Sequence, residues 1–253
     1  DTLIVGRFLG SDALGAVGSS YTLMTFLTSI LLGLCMGSGA LFSVCWGQRD
    51  LARLRRQTHA AFVLIAVCAV VLNAAAFLLL DAMKTLLSVP AEVWPLMRSY
   101  LFVIFFGIGG TFLYNYYASL LRAVGNSLVP LLFLAAAAVL NIALDLVFVL
   151  VCRWGVEGAA AATVLAQWLS GIGTAVYTLV RCPELRARRE ERRITGSMLR
   201  ELLSASVLTC LQQSVMNLGI LMVQGRINSF GPVIMAAFAA AVKIDSFAYM
   251  PLQ

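Results

Sequence analysis

The stretch LVPLLFLAAAAVLNIALDLVFVLVC, residues 128 to 152, contains one ionisable side chain, Asp145, among mostly aliphatic neighbours. About 20 apolar residues are enough for a helix to cross the hydrocarbon core of a bilayer. A carboxylate at the centre of such a helix costs about 2.5–3.5 kcal/mol on insertion scales and usually faces the protein interior on an ion or proton path. The stretch therefore predicts a membrane-spanning helix with a functional carboxylate.

The composition of the whole chain supports a membrane protein. Hydrophobic residues make up 61% of its 253 residues, and charged residues make up only 12%. Since an ordinary soluble domain has about a quarter charged residues, this chain has too few charges to cover a water-exposed surface. The same count disfavours the alternative, an unusually apolar soluble helical bundle.

Apolar runs long enough to span a bilayer recur along the chain. They are Tyr21–Trp46, Ala60–Leu80, Tyr100–Leu121, Leu128–Cys152, Gly158–Val180 and Leu202–Gly225. A seventh run, Ile227–Gln253, carries Lys243 and Asp245. Residues 1–5 have the pattern of a helix already under way, so we expect the chain to begin inside one membrane helix and to end inside another. Within the first run, GLCMG (residues 33–37) predicts close helix packing.

The basic residues between the runs predict the orientation of the protein. Alternate connections, beginning with GQRDLARLRRQTH (residues 47–59), hold 12 Lys or Arg, whereas the intervening connections hold five. We therefore expect the Arg-rich connections in the cytoplasm, and the net charge of +6 then requires no nucleic acid. Segment 181–200 is interpreted as a topogenic loop, with contact to anionic lipid headgroups as the alternative. Alanine-rich helices and Arg-rich loops suggest a bacterial inner membrane protein.

Residue patterns of enzymes and metalloproteins do not occur. The six cysteines have no metal or redox spacing, and His59 is the only histidine. There is no phosphate loop, nucleophile elbow or dinucleotide fingerprint. We therefore predict no enzymatic activity, no catalytic residue and no cofactor.

Two segments of the chain are similar to each other. GRFLGSDALGAVGSS begins at Gly6, and GRINSFGPVIMAAFAAA begins at Gly225. Both have Gly-Arg at the end of a predicted helix, then an apolar residue followed by Gly, then small residues. Because the segments are six predicted helices apart, they indicate a repeat of six spans, as found in many transporters.

Several motifs together resemble the multidrug and toxic compound extrusion (MATE) family over the whole chain. They are DTLIVGRFLGSDALGAVGSS (1–20), LLRAVGNSLVP (120–130), LNIALD (140–145) with WGVEGAAAAT (154–163), and INSFGPVIMAAFAAAVKIDSFAYMP (227–251). The resemblance implies an all-α membrane protein, a polytopic helical bundle with an inverted-cavity two-lobe architecture of twelve helices. Residues 1–180 would form the six-helix N-lobe, residues 181–201 a cytoplasmic Arg-rich loop, and residues 202–253 the first two C-lobe helices, with about four helices missing.

The residues around Asp145 predict a cation site. Asn141 lies one turn earlier, so both side chains project from the same helix face. Asp1 is the only other N-lobe carboxylate expected at membrane depth, and Thr163 and Tyr100 add hydroxyl groups. Such an oxygen-only set suits a hard cation such as Na⁺, or a proton if the carboxylates are close. In the family, residues matching Asp1, Asn141, Asp145 and Thr163 line a site linked to cation coupling, and the match to Tyr100 adjoins it. The alternative for Asp145 is a structural hydrogen bond between helices.

The expectations for the C-lobe are fewer. Gln213, Asn217 and Gln224 form a polar stripe on one face of the seventh predicted helix. The family often has an acidic residue near the position of Asn217, and its absence here puts a cation site in that helix in doubt. Asp245 is an alternative carboxylate, although Lys243 is close enough to pair with it.

The resemblance implies a secondary active efflux transporter. It would be an antiporter that works as a monomer and exports small amphipathic organic cations in exchange for inward Na⁺ or H⁺. One alternative is a flippase for lipid-linked oligosaccharides from the same superfamily, which would need a more cationic cavity. Another is a non-transporting membrane scaffold or receptor, which would not need Asp1 and Asp145 together.

Overall fold

The computed structural model describes residues 2–186, 191 and 194–249, with the side chains of residues 3 and 243–249 left out. The described chain is a bundle of helices joined by short connections. The helices are α1 (Thr2–Phe8), α2 (Ser11–Gly47), α3 (Leu51–Leu78), α4 (Ala82–Leu86), α5 (Trp94–Ile104), α6 (Ile108–Ala123), α7 (Leu128–Asp145), α8 (Gly155–Arg181), α9 (Gly196–Asn228) and α10 (Pro232–Tyr249). Short 3₁₀ turns at Phe105–Gly107 and Pro183–Leu185 follow α5 and α8, and a π-helix at Leu146–Val151 follows α7.

The helices confirm the predicted membrane spans. Six of the described helical segments are long and apolar enough to cross a bilayer, and they contain the first six predicted runs almost entirely. Large apolar side chains on their outer surfaces are exposed, for example Leu78 at 85% and Val151 at 76%. A soluble protein rarely leaves so much apolar surface in contact with water, whereas a lipid bilayer accommodates it.

The boundaries of the last two helices differ from the prediction. The seventh predicted run began at Ile227, but α9 continues to Asn228 and α10 begins at Pro232. In the other direction, α9 begins at Gly196, within the segment assigned to the inter-lobe loop. Arg200 and Glu201 are charged and therefore end the apolar run, but they are part of the helix.

The long helix α2 lies at the centre of the bundle and packs closely against α9 and α10. Gly33 and Gly37 face the backbones of Cys210 and Ser206, where a Cβ atom on either glycine would overlap the neighbouring helix. A Cβ atom on Gly18 would overlap the Cβ atom of Ala239 in α10. The prediction that GLCMG serves close packing is therefore confirmed.

The two similar segments also have the same local geometry. Gly6 and Gly225 lie in the last turns of α1 and α9. Each segment then reaches a glycine with positive φ, +90° at Gly10 and +99° at Gly231, directly before the next helix. Since only glycine adopts such angles readily, both copies use it to reverse the chain at one end of the bundle.

We call the opposite end of the bundle the Arg-rich face, where α2, α6 and α8 end and α3, α7 and α9 begin. There the Arg53 guanidinium pairs with the Glu201 carboxylate of α9, and Gln57 Nε2 donates to Glu201 Oε2 at 2.6 Å. Arg55 forms an ion pair of 3.0 Å with Glu191. These contacts join α3 to α9 and to the segment before it.

Candidate functional site

Asp145 occupies the last position of α7 and is completely buried. The chain continues directly into the π-helix Leu146–Val151. A π-segment inserts an extra residue into the helical turn and is found frequently at functional sites. The carboxylate thus lies in the interior of a spanning segment, next to a change in helix geometry.

Asn141 and Thr163 are brought together from neighbouring helices. Asn141 Nδ2 of α7 donates to Thr163 Oγ1 of α8 at 3.3 Å, and Thr163 Oγ1 in turn donates to the Ala159 carbonyl oxygen at 3.0 Å. Asn141 is one helical turn from Asp145, as predicted from the spacing. The pair fixes α7 against α8 beside the buried carboxylate.

Tyr100 and Thr163 line one cavity of about 370 Å³ between α2, α5, α6 and α8. Tyr100 is almost fully buried and close enough to Asp145 for an electrostatic interaction. Asp1 lies outside the described residues, but Thr2, the next residue, lines this cavity. The other polar side chains at the cavity are Tyr21, Thr25, Thr28, Thr111 and Gln167.

Two polar residues of this cavity were missed in the sequence. Thr111 Oγ1 and Gln167 Oε1 are buried and have no hydrogen-bond partner among the described residues. Gln167 lies four residues after Thr163, so helical spacing places it on the same face and could have identified it. Thr111 is one hydroxyl among many in apolar helices, and its sequence gives no comparable signal.

Two of the predicted C-lobe residues, Gln213 and Asn217, are in α9. Asn217 is buried, and its Nδ2 donates to the Gln213 carbonyl oxygen at 2.8 Å. Gln213 Nε2 lies 3.9 Å from Met36 Sδ of α2. The Asp245 side chain lies outside the described residues. Among the described residues, no three His, Cys, Asp or Glu side chains form a group that could hold a metal ion.

Four buried side chains form what we call the α2–α9 polar cluster: Ser19, Thr22, Gln224 and Asn228. Gln224 Nε2 donates to Ser19 Oγ at 3.0 Å and to Asn228 Oδ1 at 2.8 Å, while Thr22 Oγ1 donates to Gln224 Oε1 at 3.2 Å. Asn228 Nδ2 also donates to the Leu87 carbonyl oxygen at 3.0 Å. The cluster holds the two helices together at the end opposite the Arg-rich face.

Comparison with known proteins gives consistent matches. A family model described as MatE matches residues 1–147. The chain is 31% identical over 257 residues to "Probable multidrug resistance protein YpnP" of Bacillus subtilis, covering 99% of the chain and 56% of that protein. It is 27% identical over 256 residues to "Probable multidrug resistance protein YoeA" of the same organism, covering 98% and 55%. The chain thus spans about half the length of the curated relatives it matches.

Solved structures match the whole described bundle. One is the inward-facing conformation of a multidrug resistance MATE family transporter of the MOP superfamily, with a TM-score of 0.91 at 22% identity. The match covers 99% of this chain and 57% of that one. At this identity the similarity shows the fold, and it confirms the predicted all-α, MATE-type architecture.

Proposed function

The chain belongs to the MatE family, and on this premise we propose that the whole protein is a secondary active multidrug transporter. It would export small amphipathic organic cations from a bacterial cell in exchange for inward Na⁺ or H⁺, working as a monomer in the inner membrane. The observation that carries this proposal is the buried Asp145 carboxylate, which lies close to the cavity-lining residue Tyr100 in a chain that is otherwise poor in charge.

The coupling ion would bind at Asp145 together with Asn141, Thr163 and Asp1, with Tyr100 adjoining. All five side chains carry an oxygen atom, the ligand atom that hard cations prefer. If the coupling ion is H⁺, the proton would bind to a carboxylate oxygen of this site. Either cation neutralises Asp145 and so removes the cost of an ionised carboxylate in a spanning helix. One positive charge moving down a potential of 100 mV supplies about 2.3 kcal/mol for export.

Coupling requires the cation to bind the two arrangements of the lobes with different affinity. In this proposal residues 1–180 form the N-lobe, residues 181–201 the cytoplasmic loop, and residues 202–253 the start of the C-lobe. The cavity beside Tyr100 would receive the substrate, since its tyrosine rings suit an organic cation. Gln213, Asn217 and Asp245 would add weaker polar contacts from the C-lobe side.

The test is an efflux assay on the full-length protein in cells loaded with a fluorescent organic cation. Asp1→Asn and Asp145→Asn are expected to reduce efflux to the level of cells without the transporter, because the neutral amide no longer responds to the cation. Replacing external Na⁺ and adding a protonophore, in separate arms, identify the coupling ion.

Asp81→Asn is the matched control. Asp81 is an exposed carboxylate whose Oδ1 accepts from Arg98 Nε at 2.8 Å, and this hydrogen bond lowers the pKa of the Asp81 carboxyl group. The control therefore removes one negative charge outside the cavity and should leave efflux unchanged. Full efflux from Asp145→Asn at equal expression would make Asp145 a structural residue and contradict the proposal.

A further inference from the structure

A second cavity, of about 440 Å³, lies at the Arg-rich face, separate from the cavity beside Tyr100. It is bounded by the first turns of α3, the last turns of α6 and α8, and the 3₁₀ turn after α8. Tyr116 forms its floor, and the Tyr116 hydroxyl donates to the Thr58 carbonyl oxygen at 2.6 Å. Because this bond fixes α6 to α3, the groove is a built feature of the fold.

The groove opens toward the lipid. Leu179 lines it and is 44% exposed. Ile172, Val176 and Val180 continue the same exposed apolar stripe along α8, at the spacing of one helix face. Val67 and Val70, further along α3 than the lining residue Phe62, are also exposed. In a bilayer the α8 stripe contacts acyl chains, and because Leu179 belongs both to this stripe and to the groove lining, the groove is accessible from the membrane on the α8 side.

The walls of the groove are mainly apolar and aromatic, with Thr58, His59 and Thr178 as polar lining residues. Arg186 is the one Lys, Arg, Asp or Glu among the described lining residues, and the Glu184 carboxylate is close to the lining residue Cys182. Phe62, Tyr117 and Leu120 contribute the walls, and the exposed Arg186 lies at the rim. Among the described residues Arg186 forms no ion pair, whereas Arg53 and Arg55 pair with Glu201 and Glu191. A guanidinium group binds a phosphate through two parallel hydrogen bonds.

From this arrangement we infer that the groove binds one anionic phospholipid of the adjoining leaflet. One of its two acyl chains lies along Phe62 and Leu179, and its phosphate contacts Arg186. Basic pockets at the ends of membrane helices bind anionic headgroups by this chemistry. An organic cation would be repelled by Arg186, so the groove does not serve the substrate class proposed for the transporter. The inference is independent of ion coupling.

Native mass spectrometry of the purified full-length protein tests this site. The protein is equilibrated with an equal mixture of phosphatidylglycerol and phosphatidylcholine that have the same acyl chains. Wild type should retain phosphatidylglycerol in preference to phosphatidylcholine. Arg186→Gln should reduce that preference about fivefold, since one basic residue near an anionic lipid contributes about 1 kcal/mol.

Arg122→Gln is the matched control, because Arg122 is exposed at the same face and does not line the groove. It should keep the preference of the wild type. Cys182→Phe places a ring at a half-buried lining position and should reduce the retention of both lipids, with an unchanged melting temperature in lipid-free detergent. Inorganic phosphate in excess should not displace the bound lipid.

Three results would overturn the inference. The first is a wild type that retains both lipids equally. The second is an equal loss of preference in Arg122→Gln, which would indicate a diffuse charge effect of the whole face. The third is displacement of the lipid by inorganic phosphate, which would make a free anion the ligand.

Discussion

Gln167 and Ser170 are two residues of α8 that each have a buried oxygen without a hydrogen-bond partner among the described residues. Only Gln167 lines the cavity beside Tyr100. A buried polar group without a partner costs about 1–3 kcal/mol, so stability alone does not explain why a glutamine occupies this position. We expect it to contact the substrate or the water that solvates the coupling ion.

Substitution separates stability from transport at these two positions. Gln167→Met should raise the thermal stability of the full-length protein and reduce its efflux, because it removes a buried amide oxygen that has no hydrogen-bond partner among the described residues. Ser170→Ala should raise stability by a similar or smaller amount, about 1 kcal/mol, and leave efflux unchanged. Melting curves and efflux rates of both variants provide the measurement. Unchanged efflux in Gln167→Met would show that Gln167 has no role in the cavity.

Gly10 has a backbone conformation that residues other than glycine rarely adopt. Its φ of 90° and ψ of −178° lie in a region that is essentially restricted to glycine and costs other residues about 1–3 kcal/mol. No atom lies within 4 Å of a Cβ built on Gly10, so an alanine there would cause no steric clash. Gly10→Ala should therefore lower the free energy of unfolding by this conformational cost alone. The loss is measured as the change in unfolding free energy in detergent. Gly47→Ala, which also has open space and lacks a positive φ, should be nearly neutral.

At the scale of helices, the sequence predicts the membrane spans, because these depend on the length of an apolar run. The first six runs appear as spans because a bilayer requires about 20 apolar residues and few charges. The start of α9 at Gly196 was not predicted, since Arg200 and Glu201 end the apolar run without ending the helix. The π-helix after Asp145 was not predicted either, because LVFVLV has the composition of an ordinary α-helix. Asn141 and Thr163 were predicted to belong to the same site, but the hydrogen bond between them was not predicted. Residue spacing shows which positions share a face of one helix, and it does not show which positions of two helices are in contact.

The contact between α2 and α9 depends on glycine, and one substitution tests it. Gly33→Ala should destabilise the protein by about 1–3 kcal/mol, as overpacking does, because its Cβ would overlap the Cys210 backbone. Gly219→Ala in α9, with no atom within 4 Å of its Cβ, should be neutral or stabilise by about 0.5–1 kcal/mol through helix propensity. Unfolding in detergent compares the two. Equal effects would mean that α9 moves away from Gly33 at no cost.

For the whole molecule, α9 is held to the N-terminal helices at both ends. Glu201 pairs with Arg53 and Gln57 at the Arg-rich face, and the α2–α9 polar cluster closes the opposite end. In a transporter that exposes its cavity alternately to the two sides, each opening separates the lobes at one end only. If the protein works by the proposed alternating access, the two sets of contacts would stabilise closure at different ends of the bundle.

This arrangement predicts opposite effects of two substitutions on the conformational equilibrium. Gln224→Leu removes the three hydrogen bonds that Gln224 forms with Ser19, Thr22 and Asn228 and should favour opening at the end opposite the Arg-rich face. A lost partner in a buried network costs about 1–3 kcal/mol, and 1.4 kcal/mol corresponds to a tenfold shift in population. Glu201→Gln should favour opening at the Arg-rich face by a smaller factor, since Arg53 and Glu201 are partly exposed and exposed ion pairs contribute little.

The measurement uses a cysteine introduced at Leu221, which is buried on the face of α9 directed at α2. The rate is measured at which a reagent that does not cross the membrane alkylates this cysteine. Applied at the end opposite the Arg-rich face, the reagent should modify this cysteine about tenfold faster in Gln224→Leu and more slowly in Glu201→Gln. A change of the same sign in both variants would mean that the two sets of contacts hold one state together, and that they do not oppose each other in alternating access.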